Sequence, residues 1–419
     1  MSKYLPKYED WTEQDYLNDE HIRYCTPMTA HALEEEQEQE EKLRDKNSIV
    51  EEKFDGTRAI LQFMTYGCRV FSRRISKKTN WFTENSDSLP QMRDLIIPEL
   101  AGTIIDGEMF IPDRPFKDVS ATMNCKWDKA IERQKELGEV VLHTFDILYY
   151  RGICVERLSL RRRKKFLRKV MQVLEQYKVK CIVEVPYFQC GETITIQHTE
   201  PYDTWFQTFS NAREYYNYIV NKGGEGVIIK DLSMPYEYKR SKAFLKIKKF
   251  YTRECILTGF TPPTKYYDGK FPDDRWDYWE TPDGEEKLFP SESAKKLLSK
   301  GYQPLTKFHY NKWVGNMQFG VLITPEEING LPKNKTFDFD YMTIDGRSQA
   351  VLNVGECSGF DDELRAKISE NPEKYRLFVI EVKCNEVFKD TGKMRHPRFL
   401  RFRGDKSVRE CTYHNHITE

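Results

Sequence analysis

The chain reads as short apolar runs broken by charged stretches, a pattern that predicts strands more often than helices. Residues 49–63 (IVEEKFDGTRAILQF) place two such runs on either side of Lys53-Phe54-Asp55-Gly56, so two strands should flank a turn there. Residues 67–73 and 103–111 are also strand-like, and 140–149 (VVLHTFDILY) is apolar enough for a buried strand. Residues 158–178 have helical spacing. Phe166, Leu167, Val170, Val173, Leu174 and Tyr177 fall on one side and the Arg and Lys residues on the other. Strands return at 181–187, 226–230 and 244–249. The Glu/Gln/Lys/Arg-rich stretch 31–46 reads as an exposed helix, and 1–24 as an N-terminal arm.

Beyond about residue 250 the pattern changes to short strands and turns: Glu254–Phe260, Phe319–Ile323, Ala350–Val354, Leu377–Val387 and Arg398–Arg403. Five short strands suit a small Greek-key barrel of the OB type. Residues 262–312 are too many for an ordinary barrel loop and read as an insertion. The expected organisation is an arm over 1–24, a first domain over 25–249 and a barrel domain over 250–419.

Composition narrows the class. The chain has 419 residues, 39% hydrophobic and 32% charged, with abundant Phe and Tyr, as expected of a globular protein with sizeable cores. No apolar run has the length of a membrane span, and the start shows no secretory core. The scattered cysteines form no CxxC pair, so reduced thiols in a cytoplasmic or nucleoid-associated compartment are expected. Net charge is zero, yet it hides local surfaces. Residues 9–41 are acidic, whereas Arg161-Arg162-Arg163-Lys164-Lys165, Lys239–Arg253 and Arg395–Arg409 are basic and could neutralise phosphates.

The chemistry gathers around Lys53. A lysine amine is protonated at neutral pH and becomes a nucleophile when nearby positive charge and burial lower its pKa. Lys246 and Lys248, two apart on a strand, share a face and can supply that charge. Lys53 heads an ordered set: Lys53-Phe54-Asp55-Gly56-Thr57-Arg58, Ser72-Arg73-Arg74, Asp106-Gly107-Glu108, Phe145-Asp146-Ile147-Leu148, Glu225-Gly226-Val227-Ile228-Ile229-Lys230, Lys246-Ile247-Lys248 and Arg403-Gly404-Asp405-Lys406. In that order these segments resemble the nucleotidyltransferase motifs of ATP-dependent DNA ligases, over roughly residues 25–410.

The resemblance implies an α+β fold: a nucleotidyltransferase, ATP-grasp-like domain of antiparallel sheets and flanking helices, followed by the OB-fold barrel with its insertion. It implies that Lys53, followed by Asp55 of the motif, attacks the α-phosphate of ATP. Glu51 would border the adenine pocket and Phe145 would stack on the base. Arg58 would hold the AMP or the 5′-phosphate of a nick, and Arg73, with Arg74 as an alternative register, the nucleotide and sugar. Glu108 would sit near ribose and metal, and Glu225 would bind the metal. Lys246 and Lys248 would contact the α-phosphate, and Lys230, on the same strand as Glu225, would help bind the cofactor. Arg403, Asp405 and Lys406 would act on the leaving pyrophosphate. His396-Pro397-Arg398-Phe399-Leu400-Arg401-Phe402 before them resembles DNA ligases in particular. Val354-Gly355-Glu356-Cys357-Ser358-Gly359-Phe360 resembles a ligase barrel segment but has extra residues between its glycines.

The implied cofactors are ATP, as AMP donor, and Mg²⁺, with Mn²⁺ able to substitute. The implied partner is nicked duplex DNA, met by a monomer with no membrane contact. An RNA ligase, an mRNA guanylyltransferase and a non-catalytic OB-fold nucleic-acid-binding protein are the competing readings. The short stretch before Lys53 is expected to hold no large helical DNA-binding domain.

Overall fold

A computed structural model describes residues 22–23, 25–200 and 203–418. Of the arm expected over 1–24, only Ile22 and Arg23 fall within them. The chain divides into two compact units, one ending at Lys249 and the other starting at Phe250.

The first unit is built from two main sheets. Its strands are β1 (Thr29–Ala32), β2 (Ser48–Glu52), β3 (Thr57–Met64), β4 (Gly67–Ile75), β5 (Phe82–Glu84), β6 (Ile104–Phe110) and β7 (Val141–Tyr150). They continue with β8 (Ile153–Cys154), β9 (Ile182–Glu184), β10 (Tyr187–Gln189), β11 (Ile194–Glu200), β12 (Asp203–Phe209), β13 (Gly226–Asp231) and β14 (Arg240–Lys248). One sheet has the order β1-β14-β13-β2-β10. The other runs β5-β4-β3-β6-β7-β8 with β9 also on β7, and β11 and β12 form a separate hairpin. Pairing is antiparallel except for β1 with β14 and β7 with β9.

Burial explains the sequence pattern. From Ala59 onward every residue of β3 is buried, so it shows a continuous apolar run instead of alternation. Leu61, Val70, Ile105 and Leu142 form one core with Leu167, Val170 and Leu174 of the helix Leu160–Gln176. Val50, Ile229 and Ile247 anchor another. A third cluster takes Ile49 and Phe244 from one sheet and Ile60, Ile104 and Leu148 from the other. It fixes the sheets face to face, and residues 53–56 are where the chain crosses between them.

Two expectations change here. Residues 31 and 32 belong to β1, and the acidic helix is only Glu36–Leu43, with Gln39 and Leu43 turned inward. The basic helix does not present all its cations to solvent: Arg163 and Lys164 lie on its buried side with Leu160 and Leu167. Arg161, Arg162, Lys165, Arg168 and Lys169 are exposed.

The second unit holds β15 (Tyr251–Phe260), β16 (Tyr278–Glu280), β17 (Glu286–Leu288), β18 (Gln303–Pro304), β19 (Met317–Leu322), β20 (Phe339–Ile344) and β21 (Arg347–Cys357). After these come β22 (Val379–Cys384), the ribbon β23 (Glu386–Val387) and β24 (Met394–Arg395), and β25 (Arg398–Phe402). Its main sheet has the order β20-β21-β19-β15-β22-β25. A parallel bridge from Ser358 to Arg398, with the Phe399 amide donating to the Ser358 carbonyl at 2.9 Å, joins the ends of β21 and β25. The extra residues after Gly355 are absorbed by this extension of β21. The helix Asp362–Glu370 lies between β21 and β22 in the chain, and Leu257, Phe319, Val354 and Ile380 fill the core. Strand β20 is additional to the expected five.

The insertion folds around its own core. Strands β16, β17 and β18 form a small sheet, and Trp279, Ala294 and Leu297 are buried together beside it. Tyr267 stacks on Trp276 with centroids 3.8 Å apart, and the Trp276 indole donates to the Leu305 carbonyl at 2.7 Å. Much of this aromatic set is therefore occupied in packing.

Candidate active site

The site starts where β2 ends. The Lys53 amide donates to the Gly226 carbonyl at 2.9 Å, which ties the Lys53 segment to the start of β13. Gly226 has φ +137°, and a Cβ there would lie 2.1 Å from the Ile247 carbonyl oxygen. Only glycine lets β13 approach β14 this closely beside Glu225. On the other side of the crossing, a Cβ on Gly56 would lie 2.2 Å from the Met109 carbonyl oxygen of β6. These two glycines set the backbone positions around Lys53.

β14 places Lys248 opposite Gly226 and Lys246 opposite Ile228, so both side chains stand on one face. The Glu225 carboxylate takes Lys53 Nζ on one oxygen and Lys248 Nζ on the other. The three side chains keep 20%, 13% and 18% exposure for Lys53, Glu225 and Lys248, enough for a ligand to reach them. Lys246 is held below the usual lysine range by burial, then by the ammoniums of Lys248 and Lys53. Glu108 is pushed up to about 7, first by burial, while Arg58 and Lys53 pull it down and Asp106 and Glu225 oppose them. Glu108 thus belongs electrostatically to the group around Lys53. Asp55 is half-buried in the crossing segment.

A second group lies behind it. Arg58 clasps buried Asp106 through Nε at 2.6 Å and Nη2 at 2.7 Å, and also donates to the Met28 carbonyl at 2.9 Å. Tyr236 donates its hydroxyl to the same carboxylate at 2.6 Å. The Arg58 guanidinium is 4.5 Å from the centre of the Phe145 ring, and Lys230 Nζ is 4.0 Å from the same centre. Lys230 also pairs with Glu51, and Lys164 approaches the other Glu51 oxygen at 2.6 Å. Glu51, Lys164 and Lys230 are almost fully buried. Burial lowers Lys230 to about 8, with Glu51 opposing and Lys164 adding to the shift. Asp146 beside Phe145 is buried and clasped by Arg163 at 2.7 and 3.0 Å.

Arg73 stands apart, exposed near the end of β4, while Arg74 donates to Asn124 Oδ1 at 3.3 Å. Arg403, Asp405 and Lys406 belong to the second unit and form a group of their own. Asp405 accepts from Arg403 Nε at 2.9 Å and Nη2 at 2.7 Å. Arg403 and Lys406 both pair with Glu254, and Lys406 with Glu410 at 3.0 Å.

Residues 27–248, more than half the chain, match the family model described as ATP dependent DNA ligase domain. The chain belongs to the ATP-dependent DNA ligase family. It is 27% identical over 252 residues to the SPbeta prophage-derived DNA ligase-like protein LigB of Bacillus subtilis, covering 60% of this chain and 77% of that one. It is 29% identical over 220 residues to the DNA ligase of Archaeoglobus fulgidus, where it spans 51% of this chain and only 34% of the archaeal enzyme. The solved structure named Pmar-Lig_PreS3 covers 91% of this ligase-family chain and 68% of its own, with TM-score 0.52 and 16% identity, a likeness of fold.

Three residues packed against the candidate site carried no clear signal in the sequence of this ligase domain. Lys164 was hidden in a run of cations. Its position four residues after Leu160 and three before Leu167 marks the inward face. Tyr236, on Asp106, carries no local signal. His143, whose ring meets those of Phe54 and Phe110 edge-on at 4.2 Å each, resembles any strand residue.

Proposed function

We propose that the chain is an ATP-dependent ligase that seals 5′-phosphate/3′-hydroxyl nicks in duplex DNA as a monomer. The observation that carries this is the convergence of Lys53 and Lys248 on Glu225, with Lys246 on the same strand face. Glu225 holds two ammoniums at the point where an α-phosphate would compete for them. Lys53 Nζ attacks the α-phosphorus, a P–N bond forms and the bond to the bridging oxygen of the β-phosphate breaks. Pyrophosphate leaves and the ammonium proton is shed to solvent. The AMP then passes from Lys53 to the 5′-phosphate of a nick, and the 3′-hydroxyl displaces it to complete the phosphodiester. Lys246 and Lys248 stabilise charge that develops on the phosphoryl oxygens during transfer.

Glu108 and Glu225 suit Mg²⁺, a hard cation that takes oxygen donors. Among the described residues no group of three or more candidate ligands forms, so phosphates and waters would complete the shell. When bound, the ion would neutralise phosphoryl charge. The second unit is best read as an OB-type barrel, supported by the β21-β19-β15-β22-β25 order and by the bridge joining its outer ends. Arg403 and Lys406 there would serve the pyrophosphate.

Incubation with labelled ATP and, separately, labelled GTP tests this reading. Covalent label from ATP that transfers to a nicked duplex is expected. Lys53→Ala and Lys53→Arg should form no adduct, because neither offers a free primary amine. Substantial label on Lys53→Ala would remove Lys53 from the mechanism.

A further inference from the structure

The first unit holds a cavity of about 330 Å³ between the β4–β5 connection, the short turn Ser86–Ser88 and the junction of the helices Phe116–Met123 and Trp127–Leu137. None of the residues grouped around Lys53 lines it. Its size suits a small ligand. Asn85 is the informative residue of the wall. It stands at the N-cap of Ser86–Ser88, where an Asn side chain ordinarily accepts from the amides of the turn, yet it makes no capping bond. Asn85 is only 7% exposed and lines the cavity, and among the described residues its carboxamide has no partner. Ser88, equally buried, adds a hydroxyl to the same wall. Buried amides are normally bonded. Here a donor and an acceptor stand side by side, unspent, at the edge of an open space.

The charges of the wall point the same way. Its two carboxylates are already matched, Glu84 by Arg69 at 2.6 Å and Asp87 by Arg93 at 3.3 Å. Lys78 and Lys126 are exposed beside them. Lys126 occupies the N-cap of the helix Trp127–Leu137, and no side chain caps that end. A lysine is unfavourable there, because the end of the helix is itself positive and its first amides lack acceptors. The same features make the position receptive to an anion. Asp128, in the first turn, is engaged by the Lys129 amide at 2.8 Å. Arg74 donates to Asn124 of the wall at 3.3 Å, which brings a further cation to this side. Met123 and Trp127 contribute polarisable apolar surface.

We propose that this cavity binds a nucleotide, with the base toward Asn85 and the phosphate toward Lys126. The Asn85 carboxamide is the complement of a base edge, which also presents a donor beside an acceptor. Trp127 and Met123 offer surface for a flat ring. Lys126 and the helix amides take the phosphate. Such a nucleotide is either free in solution or an unpaired residue of a DNA strand, and the recognition chemistry is the same for both. Binding here needs none of the chemistry at Lys53.

Equilibrium dialysis of the full chain against labelled thymidine 5′-monophosphate, thymidine and inorganic phosphate tests the free nucleotide. A nicked duplex with one unpaired nucleotide at the nick, compared with a fully paired one, tests the DNA strand. If the source is free, thymidylate should bind at least about tenfold more tightly than thymidine or phosphate alone. If the source is DNA, the unpaired duplex should be preferred by a similar factor. Asn85→Leu, of similar bulk, and Lys126→Glu, at the surface, should each remove about tenfold of whichever preference is seen. Lys126→Glu keeps the test readable where Asn85→Leu melts early. Thymidylate and duplexes bound alike by the wild type and both variants would overturn the proposal. So would phosphate bound as tightly as thymidylate, which would reduce the cavity to an anion site, or a wild type with neither preference.

Discussion

His416 shows how a single buried residue sets a pH response. Only 2% exposed, it meets the Gly392 carbonyl at 2.7 Å and is lowered from 6.5 to about 4, chiefly by burial. Between those values the unfolded chain takes up a proton that the folded chain refuses, so stability falls as the pH drops through that window. The loss is on the order of 3 kcal/mol once both states have titrated. His143 in the first unit shifts in the same direction, also to about 4, by burial. Glu108 runs the opposite way: raised to about 7 by burial, it binds its proton more tightly in the folded state and favours folding as the pH falls from 7 toward 4.5. The two first-unit groups offset each other in part, so acid sensitivity should be clearest in the second unit. Thermal melts followed by calorimetry between pH 7 and 4.5 should show it, and His416→Gln should flatten the dependence. An identical pH slope in that variant would remove His416 as the cause. At this scale the candidate nucleophile stood out because Lys53 belongs to an ordered set of motifs. His416 did not, since nothing local in Tyr413–Thr418 reports burial.

Among the elements, the helix Leu160–Gln176 is the most instructive. Its apolar stripe was readable from spacing, but the run Arg161–Lys165 concealed which cations turn inward, because local composition cannot assign a phase to five consecutive charges. Arg163 and Lys164 go to buried carboxylates, which leaves Arg161, Arg162, Lys165, Arg168 and Lys169 toward solvent. The β20–β21 hairpin was missed for a different reason. Its signal is the dipeptide Asp345-Gly346, with φ of +51° and +74°, the left-handed pair that a tight hairpin requires. If the exposed face of the helix grips the DNA backbone, replacing Arg162, Lys165 and Lys169 together by Gln should weaken nick binding alike across sequences. It should also make the salt dependence shallower by about 0.9 for each phosphate that is no longer neutralised. The Lys53–AMP adduct should still form, because these side chains point away from Lys164 and Glu51. An unchanged salt slope, measured by titration at several ionic strengths, would leave this face as merely solvated.

For the molecule as a whole, the proposed chemistry is divided between the two units. Lys53, Glu225, Lys246 and Lys248 belong to the first compact unit, and Arg403, Asp405 and Lys406 to the second. Sequence order alone made both sets legible, since each is a short motif. The insertion was legible as extra length but not as a fold, because its core depends on the packing of residues such as Trp279 and Leu297 that no periodicity announces. Among the described residues no helix is long and apolar enough to cross a membrane. Within the second unit, Arg403 is aimed by Asp405 and shares Glu254 with Lys406, which makes a compact pair of cations with a fixed direction. Such a pair suits a multiply charged leaving group such as pyrophosphate, and that group exists only in the first step. If the pair acts there, its contribution must be made when ATP reacts and is not needed once AMP is on the DNA. Arg403→Ala should therefore lose self-adenylylation by at least about a hundredfold, the scale of a lost transition-state donor. On a nick that already carries 5′-AMP it should retain most of its sealing rate. The two rates can be compared in single-turnover assays on one enzyme preparation. Equal losses in both would mean that Arg403 serves every step or holds the second unit together through Glu254, and the assignment to pyrophosphate would fall.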